Sequence, residues 1–463
     1  MLNLNRREFM GSAAVLAGTA LATGGLLSAA EAPRLEIATF RCDVTPPMGH
    51  PLCGGWITPV VGVDDPLEMI GYVIRGAGAP IVVCTVDWTG ILNEAHIQWR
   101  GLLAQAAGTS PERVAIQCVH QHNALFCCPE TERTVQKQGD LPHTFLPDFL
   151  KSCQDRSLAA LNAAMKNFRP LTHVAHGQAQ VKDVASNRRM FTADGKMAWR
   201  GSATKDAALK TMPDGLIDPW LKTIAFYDGA TKVVACHYYA THPMSYYGDG
   251  RVCSEFVGIA RRQFDAAEPG CTHMYFTGCS GNIAAGKYND GTKEARVQLT
   301  EKIHAGIRAS MERLEPTPIT SAGWATQEIL PPVRSSFMAD NLEQQIANKS
   351  TPLALRIRPA MMLSWLRRCE QKIPIVLSGL HLNDVSLLHL PAESFLEYQL
   401  RAQKFAPNRF VACAAYGDGG PWYIPIKEAY PEGGYEVSVA FCDEGMDPVL
   451  TQGLESLLRA TPA

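Results

Sequence analysis

Short apolar runs typical of strands alternate with longer segments of helical periodicity along most of this chain. Strand-like runs occur at 36–44, 69–75, 80–87, 113–120, 172–181, 222–227, 232–239, 272–277, 374–382, 385–390 and 409–415. Helix-like segments occur at 94–107, 145–166, 255–267, 292–313, 340–349 and 394–404. Because the two kinds of segment interleave, the pattern predicts a mixed α/β (α+β) fold, with a layered sheet core and flanking helices.

The connecting segments add three expectations. Asn383-Asp384 separates two apolar runs and predicts a hairpin turn. The polar, Gly- and Lys-containing stretch 183–218 predicts an extended loop, and 331–372 predicts an insertion with its own helices. No internal sequence repeat is evident. We therefore expect a single large domain over residues 33–463.

The N-terminus has the pattern of an export signal. Arg6-Arg7 precedes the mildly apolar run GSAAVLAGTALATGGLLSAA, and the small residues of Ala30-Glu31-Ala32 offer a cleavage site. Residues 1–32 are therefore predicted to be a twin-arginine signal peptide, handled by the twin-arginine export machinery and removed. The mature protein is then expected in the periplasm or outside the cell. The alternative is an uncleaved anchor helix, since the run nearly reaches spanning length.

The amino-acid composition argues against some classes of binding partner. The 463 residues are 46% hydrophobic and 19% charged, with a net charge of −2, which is typical of an ordinary globular protein. Without a basic excess, nucleic acid is not an expected partner. No stretch after the signal predicts a membrane span. The 14 cysteines contain no CxxC pair, which argues against a thiolate zinc site and leaves any disulfide pairing open.

A small set of histidines and one acid carries candidate chemistry. His120 and His122 follow the strand-like run RVAIQCV, His242 lies in YATHP, and Glu393 lies in LHLPAES. Residues i and i+2 of a strand point to one side, roughly 6–7 Å apart, so the first two are expected to face one site. Histidine and carboxylate ligands with one open position form catalytic zinc sites. On its own a His-x-His pair is as often a surface or core feature.

The order of motifs resembles a known family. The chain reads CDVTPPMGHPLCGG, DDPLEMIGYVIRG, VVCTVDWTGI, VHQHNA, SNRR, LIDPW, ATHP, FTGCSGNIAAGKY, LPAESF and WYIPIKEAYPEGGYE. This succession, over residues 36–442, resembles the catalytic domain of the neutral (non-lysosomal) ceramidase family. Members carry a DITPP-like start, THTHSGP, an HP motif, a GN/GD loop, a PGE motif and a Y-[IV]-x-T segment near YE, in that order.

The resemblance implies a zinc centre. His120 resembles the first zinc-binding histidine of the family and His242 the second. Glu393 resembles the carboxylate ligand, and Tyr423, in WYIP, the tyrosine that completes the metal site. The implied cofactor is Zn²⁺, which lowers the pKa of a bound water to about 7 and polarises a carbonyl.

The resemblance also implies catalytic roles for residues around the metal. His122 resembles the second histidine of THTH, which lies near the scissile amide and is suited to moving a proton to the leaving amine. Arg188, in SNRR, resembles the active-site arginine of the NRS segment. Together with Tyr423 it is expected to stabilise the developing oxyanion.

Each of these residues also has a plain structural interpretation. Glu393 suits the N-terminus of the helix SFLEYQL, where negative charge is favoured. His242 before Pro243 is suited to ending a strand. Tyr423 would then be an interfacial aromatic and Arg188 a solvated loop charge.

Three departures from the family pattern concern the substrate. VHQHNAL lacks the Ser-Gly-Pro turn that shapes the floor of the pocket. Ile283-Ala284 follows Gly281-Asn282 where the family has a serine, and Ser280 precedes that pair, so it is not expected to be a nucleophile. The sequence ends shortly after the YE motif, which implies that the C-terminal β-sandwich domain is missing.

The leading hypothesis is an exported zinc-dependent hydrolase that cleaves an amide bond of a small-molecule or lipid-like N-acyl substrate by a metal-activated water. An esterase or other acyl hydrolase with the same metal site is an alternative, and so is a non-catalytic metal-dependent binding protein. Residues 183–218 and 331–372 are expected to form the rim of the pocket and so to select the substrate.

Overall fold

Residues 34–460 are described in the computed structural model of this chain, apart from the side chain of Ala354. The predicted export signal at 1–32 lies outside the described residues. The structure is therefore the fold of the expected mature protein, and it shows the mixed α/β class that the sequence predicts.

The strands vary from two to nine residues in length. Twenty-four are found among the described residues, numbered in chain order: β1 (Leu35–Asp43), β2 (Gly62–Val63), β3 (Glu68–Arg75), β4 (Ile81–Val86), β5 (Gly90–Ile91), β6 (Val114–Cys118), β7 (Phe126–Cys127), β8 (Arg169–Leu171), β9 (His173–Gln180), β10 (Ser186–Asn187), β11 (Arg189–Phe191), β12 (Met197–Trp199), β13 (Trp220–Asp228), β14 (Thr231–Tyr239), β15 (Arg251–Val252), β16 (Thr272–Thr277), β17 (Ile283–Ala284), β18 (Thr317–Pro318), β19 (Ala322–Ile329), β20 (Ile375–Leu382), β21 (Val385–His389), β22 (Glu393–Ser394), β23 (Phe410–Ala414) and β24 (Tyr423–Ile424).

The helices flank these strands. Within residues 34–460 there are twelve α-helices: α1 (Glu94–Ala107), α2 (Pro129–Gln136), α3 (Pro147–Ala164), α4 (Ala207–Thr211), α5 (Glu255–Ala267), α6 (Lys293–Met311), α7 (Ala339–Ala347), α8 (Leu353–Glu370), α9 (Leu396–Phe405), α10 (Ala429–Glu432), α11 (Tyr435–Ser438) and α12 (Met446–Arg459).

Three larger sheets repeat one topological unit. Their strand orders are β6-β4-β3-β1-β8, β16-β14-β13-β9-β18 and β19-β20-β21-β23. In each, three antiparallel strands are followed by a helical crossover to a parallel strand: β4-α1-β6, β14-α5-β16 and β21-α9-β23. A second helix follows each parallel strand (α3, α6 and α12). The chain thus contains three copies of one arrangement, although no sequence repeat marks them.

The three sheets share one core through side chains that alternate between two faces. In β23, Ala412 and Ala414 join a cluster drawn from all three sheets, while Val411 and Cys413 face the helix side. The outer faces are covered by the two helices of each unit, such as α5 and α6 against β13, β14 and β16. Successive side chains of a strand point to opposite faces, and here both faces are buried, which explains why the strands appear as apolar runs in the sequence.

The predicted elements can be compared with the observed ones. All eleven strand-like runs form strands and all six helix-like segments form helices. The sequence did not individually predict strand β19 or helices α2, α8, α10, α11 and α12. Helices α8 and α12 each carry an internal helix breaker, Pro359 and Gly453. The expected loop at 183–218 contains short strands and helix α4, and the insertion at 331–372 contains α7 and α8.

Two further observations concern the described residues as a whole. Between residues 34 and 460, no helix is both long enough and apolar enough to cross a membrane. All fourteen cysteines lie in this range and all are free thiols.

Candidate metal centre

The candidate site lies where the parallel strands of the three units end. His120 comes two residues after β6, His242 three residues after β14, and Glu393 four residues after β21. Each unit therefore contributes one of the three residues. The carboxyl ends of parallel strands are the usual location of ligand sites in α/β proteins, because the crossovers leave a crevice there.

The three side chains meet at one point. Nε2 of His120 lies 3.3 Å and Nε2 of His242 lies 3.0 Å from the same oxygen, Oε2 of Glu393. One donor atom from each residue falls within 4.8 Å of the other two, and all three residues are buried. This is the donor set and spacing that a metal ion with histidine and carboxylate ligands requires.

Backbone carbonyls determine which imidazole nitrogen faces that point. Nδ1 of His120 lies 2.6 Å from the carbonyl oxygen of Thr89, and Nδ1 of His242 lies 2.7 Å from that of Ser280 and 3.0 Å from that of Ile283. A carbonyl only accepts, so each Nδ1 carries the hydrogen and each neutral Nε2 keeps a lone pair.

Those two lone pairs face the Glu393 carboxylate, and Nε2 of His120 is buried without a hydrogen-bond partner. Electron-rich atoms that face one another in this way are satisfied by a cation between them. The residues present therefore fit a bound metal ion.

The backbone at His120 differs from the sequence-based expectation. Strand β6 ends at Cys118, and His120 has φ of +76°, so His120 and His122 are not i and i+2 of a strand. The prediction that both rings face one site is nevertheless right, with ring centroids 5.0 Å apart. A turn stabilised by hydrogen bonds, including His120 N–H to the carbonyl of Trp88 at 2.9 Å, brings them together instead.

Glu393 is not a helix N-terminal acid. It lies in β22, before α9 begins at Leu396, and pairs in parallel register with Tyr423 of β24. Burial raises the pKa of Glu393, and only His120 and His242 in their protonated, charged form outweigh burial and hold the pKa well below its usual range. The ionised carboxylate therefore requires positive charge beside it, which a cation between the three side chains would also supply.

Tyr423 and Arg188 form a linked pair beside the histidines. The Tyr423 hydroxyl lies 3.4 Å from Nε2 of His242 and accepts a hydrogen bond of 3.1 Å from Arg188. Arg188 Nε lies 3.3 Å from Glu436 Oε1, and both Arg188 and Glu436 are buried. Arg188 is therefore not a solvated charge on a loop. Burial raises the pKa of Tyr423 well above its usual value, so the hydroxyl is neutral.

His122 lies next to the three converging residues without joining them. Its ring centroid is 6.3 Å from that of His242 and 5.1 Å from that of Tyr247, and its Nδ1 contacts Met244 Sδ. Burial places the pKa of His122 well below its usual value. The imidazole is therefore neutral near pH 7.

Comparison with known proteins gives one kind of match. No protein-family model matches the chain and no curated protein does. The solved structures that match include one of the neutral ceramidase from Pseudomonas aeruginosa and one of a ceramidase complexed with C2. Both are 14% identical to this chain in sequence, and both alignments cover 93% of it. The alignment covers 75% of the first structure's chain with a TM-score of 0.64, and 76% of the second structure's chain with a TM-score of 0.65. The chain has a neutral-ceramidase-like fold.

The neutral-ceramidase-like fold confirms the resemblance predicted from the ordered motifs. At 14% identity the likeness shows the fold alone, so the roles of the site residues rest on their geometry. That geometry brings together His120, His242 and Glu393, with Tyr423 at their edge, while His122 and Arg188 lie in the surrounding wall.

A cavity of about 520 Å³ opens onto this site. Both segments expected to form its rim contribute, since Trp199 and Gly201 come from 183–218 and Arg358 comes from 331–372. The rest of the wall is rich in aromatic side chains: Trp56, Phe126, Tyr247, Trp422, Tyr423 and Tyr435. An aromatic wall with a few polar groups is typical of a small-molecule site.

Three residues of the site were not predicted from the sequence. Tyr416 stacks on His120 at a centroid distance of 4.2 Å, Glu436 pairs with Arg188, and Arg358 lines the cavity. Glu436 belongs to the YE motif, which was a usable signal. Tyr416 follows β23 as His120 follows β6, but that correspondence is visible only once the repeated topology is known.

A second group with metal-ligating side chains lies elsewhere. Glu268, Cys271 and His273 also bring donor atoms within 4.8 Å. They precede or begin β16 and so lie at the opposite end of that strand from the site. Lys232 Nζ lies 2.6 Å from Glu268 and already compensates its charge. This group is therefore a weaker candidate for a cation.

Proposed function

We propose that this chain is a zinc-dependent hydrolase that cleaves an amide bond of an N-acylated substrate. The observation that carries the proposal is the convergence of His120, His242 and Glu393, with both Nδ1 atoms tied to backbone carbonyls and both Nε2 atoms directed at one carboxylate. The neutral-ceramidase-like fold supports the amide bond as the target, because the structures that share it are ceramidases.

In this proposal His120, His242 and Glu393 hold the ion, and Tyr423 completes the site. Nitrogen and carboxylate oxygen donors suit Zn²⁺. When bound, the ion supplies Lewis-acid activation of the scissile carbonyl and of the attacking water.

Tyr423 and Arg188 stabilise negative charge on the substrate oxygen. The Arg188 guanidinium donates to the Tyr423 hydroxyl oxygen, which makes the phenolic hydrogen a stronger donor. Glu436 holds Arg188 in place from the other side, at 3.3 Å. A donor fixed in advance at the position where charge develops costs no reorganisation during the reaction.

His122 is the proposed proton carrier. Its Nδ1 is occupied by the contact with Met244, and no hydrogen bond to Nε2 is found from any described residue. The ring lines the cavity beside the converging residues. Nε2 is therefore free to take a proton from the attacking water and pass it to the leaving amine.

The test combines metal analysis with a paired substrate panel. We expect the purified protein to hold about one zinc per chain and to hydrolyse N-acyl amides, with activity lost on chelation and restored by zinc. Matched esters of the same acyl groups serve as the comparison. Hydrolysis of the esters but not of the amides would indicate an esterase that uses the same metal site. Zinc binding with no turnover of either series would indicate a binding protein.

We also propose that the protein acts in the periplasm or outside the cell. The support is Arg6-Arg7 ahead of the apolar run. Replacing both arginines by lysine is expected to retain the protein in the cytoplasm with residues 1–32 uncleaved. Unchanged export of that variant, measured by cell fractionation, would contradict the proposal.

A further inference from the structure

Arg358 lies in the wall of the cavity, and its guanidinium forms no ion pair with a described residue. It belongs to the first turns of α8, where the buried side chains of Ile357 and Met361 anchor the helix. Its guanidinium carbon lies 5.5 Å from the centroid of the Trp422 ring, the residue before Tyr423. The same side chain lines the cavity that contains His120 and His122.

Arg356, two residues earlier in the same helix, is an arginine whose charge is fully paired within the protein. Arg356 donates to both carboxylate oxygens of Asp140, at 2.8 and 3.1 Å, and to the carbonyl oxygen of Ile346 at 2.7 Å. Arg358 has no hydrogen bond or ion pair with any residue in 34–460, and its Nε is buried without a partner. Partial burial of a guanidinium that has no anionic partner costs free energy. An anionic ligand bound beside it would offset that cost.

The other charges around the cavity do not supply that anion. Glu393 is the one acidic residue among those that line it, and its carboxylate faces His120 and His242. The other lining arginine, Arg188, is already paired with Glu436. The cavity thus has one uncompensated positive charge.

We propose that Arg358 binds a carboxylate of the substrate, so that the substrates are N-acyl compounds that carry a carboxylate close to the scissile amide. A guanidinium binds a carboxylate through two parallel hydrogen bonds, which gives orientation as well as affinity. The inference rests on the proposed amide hydrolysis for its substrate class. It adds that the aromatic wall receives the apolar part while Arg358 fixes the anionic end.

Two pairs of substrates test this, because the carboxylate can lie on either side of the amide. N-hexanoylglycine is compared with N-hexanoylglycinamide, and N-hexylsuccinamic acid with N-hexylbutanamide. We expect kcat/KM for the carboxylate member of at least one pair to exceed that of its neutral partner by about 10- to 100-fold, the usual worth of a charge-assisted pair.

The matched variants separate binding from general damage. Arg358→Gln is expected to remove the preference, by raising KM for the carboxylate member far more than KM for the neutral member. Arg358→Lys keeps the charge without the planar fork and is expected to keep part of the preference. Arg367→Gln removes a charge from the exposed face of the same helix, where Arg367 pairs with Glu343, and is expected to change nothing.

The outcomes for the two proposals are distinguishable. Hydrolysis of all four compounds at similar rates, unchanged in Arg358→Gln, would overturn the carboxylate site and leave the hydrolase proposal standing. If none is hydrolysed, calorimetric binding of the two carboxylate compounds decides. Binding to wild type that is lost in a folded Arg358→Gln variant would support the site without the activity. Absence of binding would overturn both.

Discussion

His120 and His242 each donate the Nδ1 hydrogen to a backbone carbonyl, which orients the imidazole before any ligand arrives. The partners are Thr89 for the first and Ser280 and Ile283 for the second. All of these acceptors are main-chain atoms, so they do not depend on the identity of the side chain at those positions. At the scale of single residues the site is therefore built by side chains but oriented by backbone.

His242→Ala is expected to remove most of the bound zinc. The loss of one of three strong ligands leaves an incomplete site, and the Glu393 carboxylate loses a partner at 3.0 Å. Zinc per chain, measured by elemental mass spectrometry, checks this. His176→Ala, a histidine that is half-exposed and outside the site, is the control. Full zinc occupancy in His242→Ala would refute the ligand assignment.

His122→Ala is expected to keep the metal and lose turnover. The ring lies beside the three converging residues without belonging to their donor set, and the role proposed for it is proton transfer. A positioned general acid or base is worth on the order of 10²–10⁴ in rate. Zinc content and kcat are measured on the same preparation. If the variant loses zinc as readily as His120→Ala, His122 is a ligand instead.

Ser280→Ala is expected to leave hydrolysis largely intact. Ser280 orients His242 through its carbonyl oxygen, which alanine retains, and its hydroxyl lies 2.7 Å from the hydroxyl of Tyr416. It is fully buried and is not part of the cavity wall. Labelling of Ser280 by a fluorophosphonate, with loss of activity in proportion, would show a serine nucleophile and contradict this expectation.

At the scale of elements, the repeated unit explains why residues far apart in sequence meet. Each unit ends in a helical crossover to a parallel strand, and the chain leaves β6, β14 and β21 at the same end of the molecule. Hydrogen bonds join those ends directly: Gln117 donates to the carbonyls of Leu390 and Ala414 at 3.0 and 2.8 Å. The geometry of the site therefore depends on how the three units pack.

Gly281→Ala tests that dependence. A Cβ at Gly281 would lie 2.3 Å from the backbone oxygen of Glu393, which cannot move without displacing β22. We expect zinc affinity to fall about 10- to 100-fold, as for other losses of support around a ligand. Gly101→Ala, in α1, meets no atom within 4 Å and is the control. Equal zinc affinities in competition with a chelator would contradict the expectation.

At the scale of the whole molecule, burial lowers the pKa of several histidines that lie away from the metal centre. The pKa is about 4 for His50, His96 and His381 and about 3 for His389. In the unfolded chain these histidines titrate near 6.5. Folding then keeps them neutral where the unfolded chain binds protons. The stability they contribute is full above pH 6.5 and is lost as pH falls from 6.5 toward 4.

His389→Gln is expected to flatten this pH dependence. Between pH 7 and pH 5 one such histidine contributes about 2 kcal/mol at most to the fall in the free energy of unfolding. Urea unfolding of wild type and variant at both pH values isolates the difference, whatever the variant does to absolute stability. An identical fall in both proteins would show that the native His389 titrates normally.

The amino-acid pattern alone predicts most of the longer strands and helices and the class of fold. Strands such as 385–390 and 409–415 are visible because a strand between two layers alternates its side chains with a period of two, which is a local property. The ordered motifs also indicated the neutral-ceramidase-like fold and named His120, His242 and Glu393. Alternation and motif order need no knowledge of which strand lies next to which.

The way those residues face one another depends on the folded chain and could not be predicted from the sequence. The triple repetition of the unit is a property of strand pairing, which leaves no repeat in the sequence. The tautomers of His120 and His242 depend on carbonyls of other turns. Arg358 is unpaired because no acidic side chain among residues 34–460 forms an ion pair with it. These are contacts between distant segments, and a local pattern of residues cannot encode them because they arise only when the three units pack together.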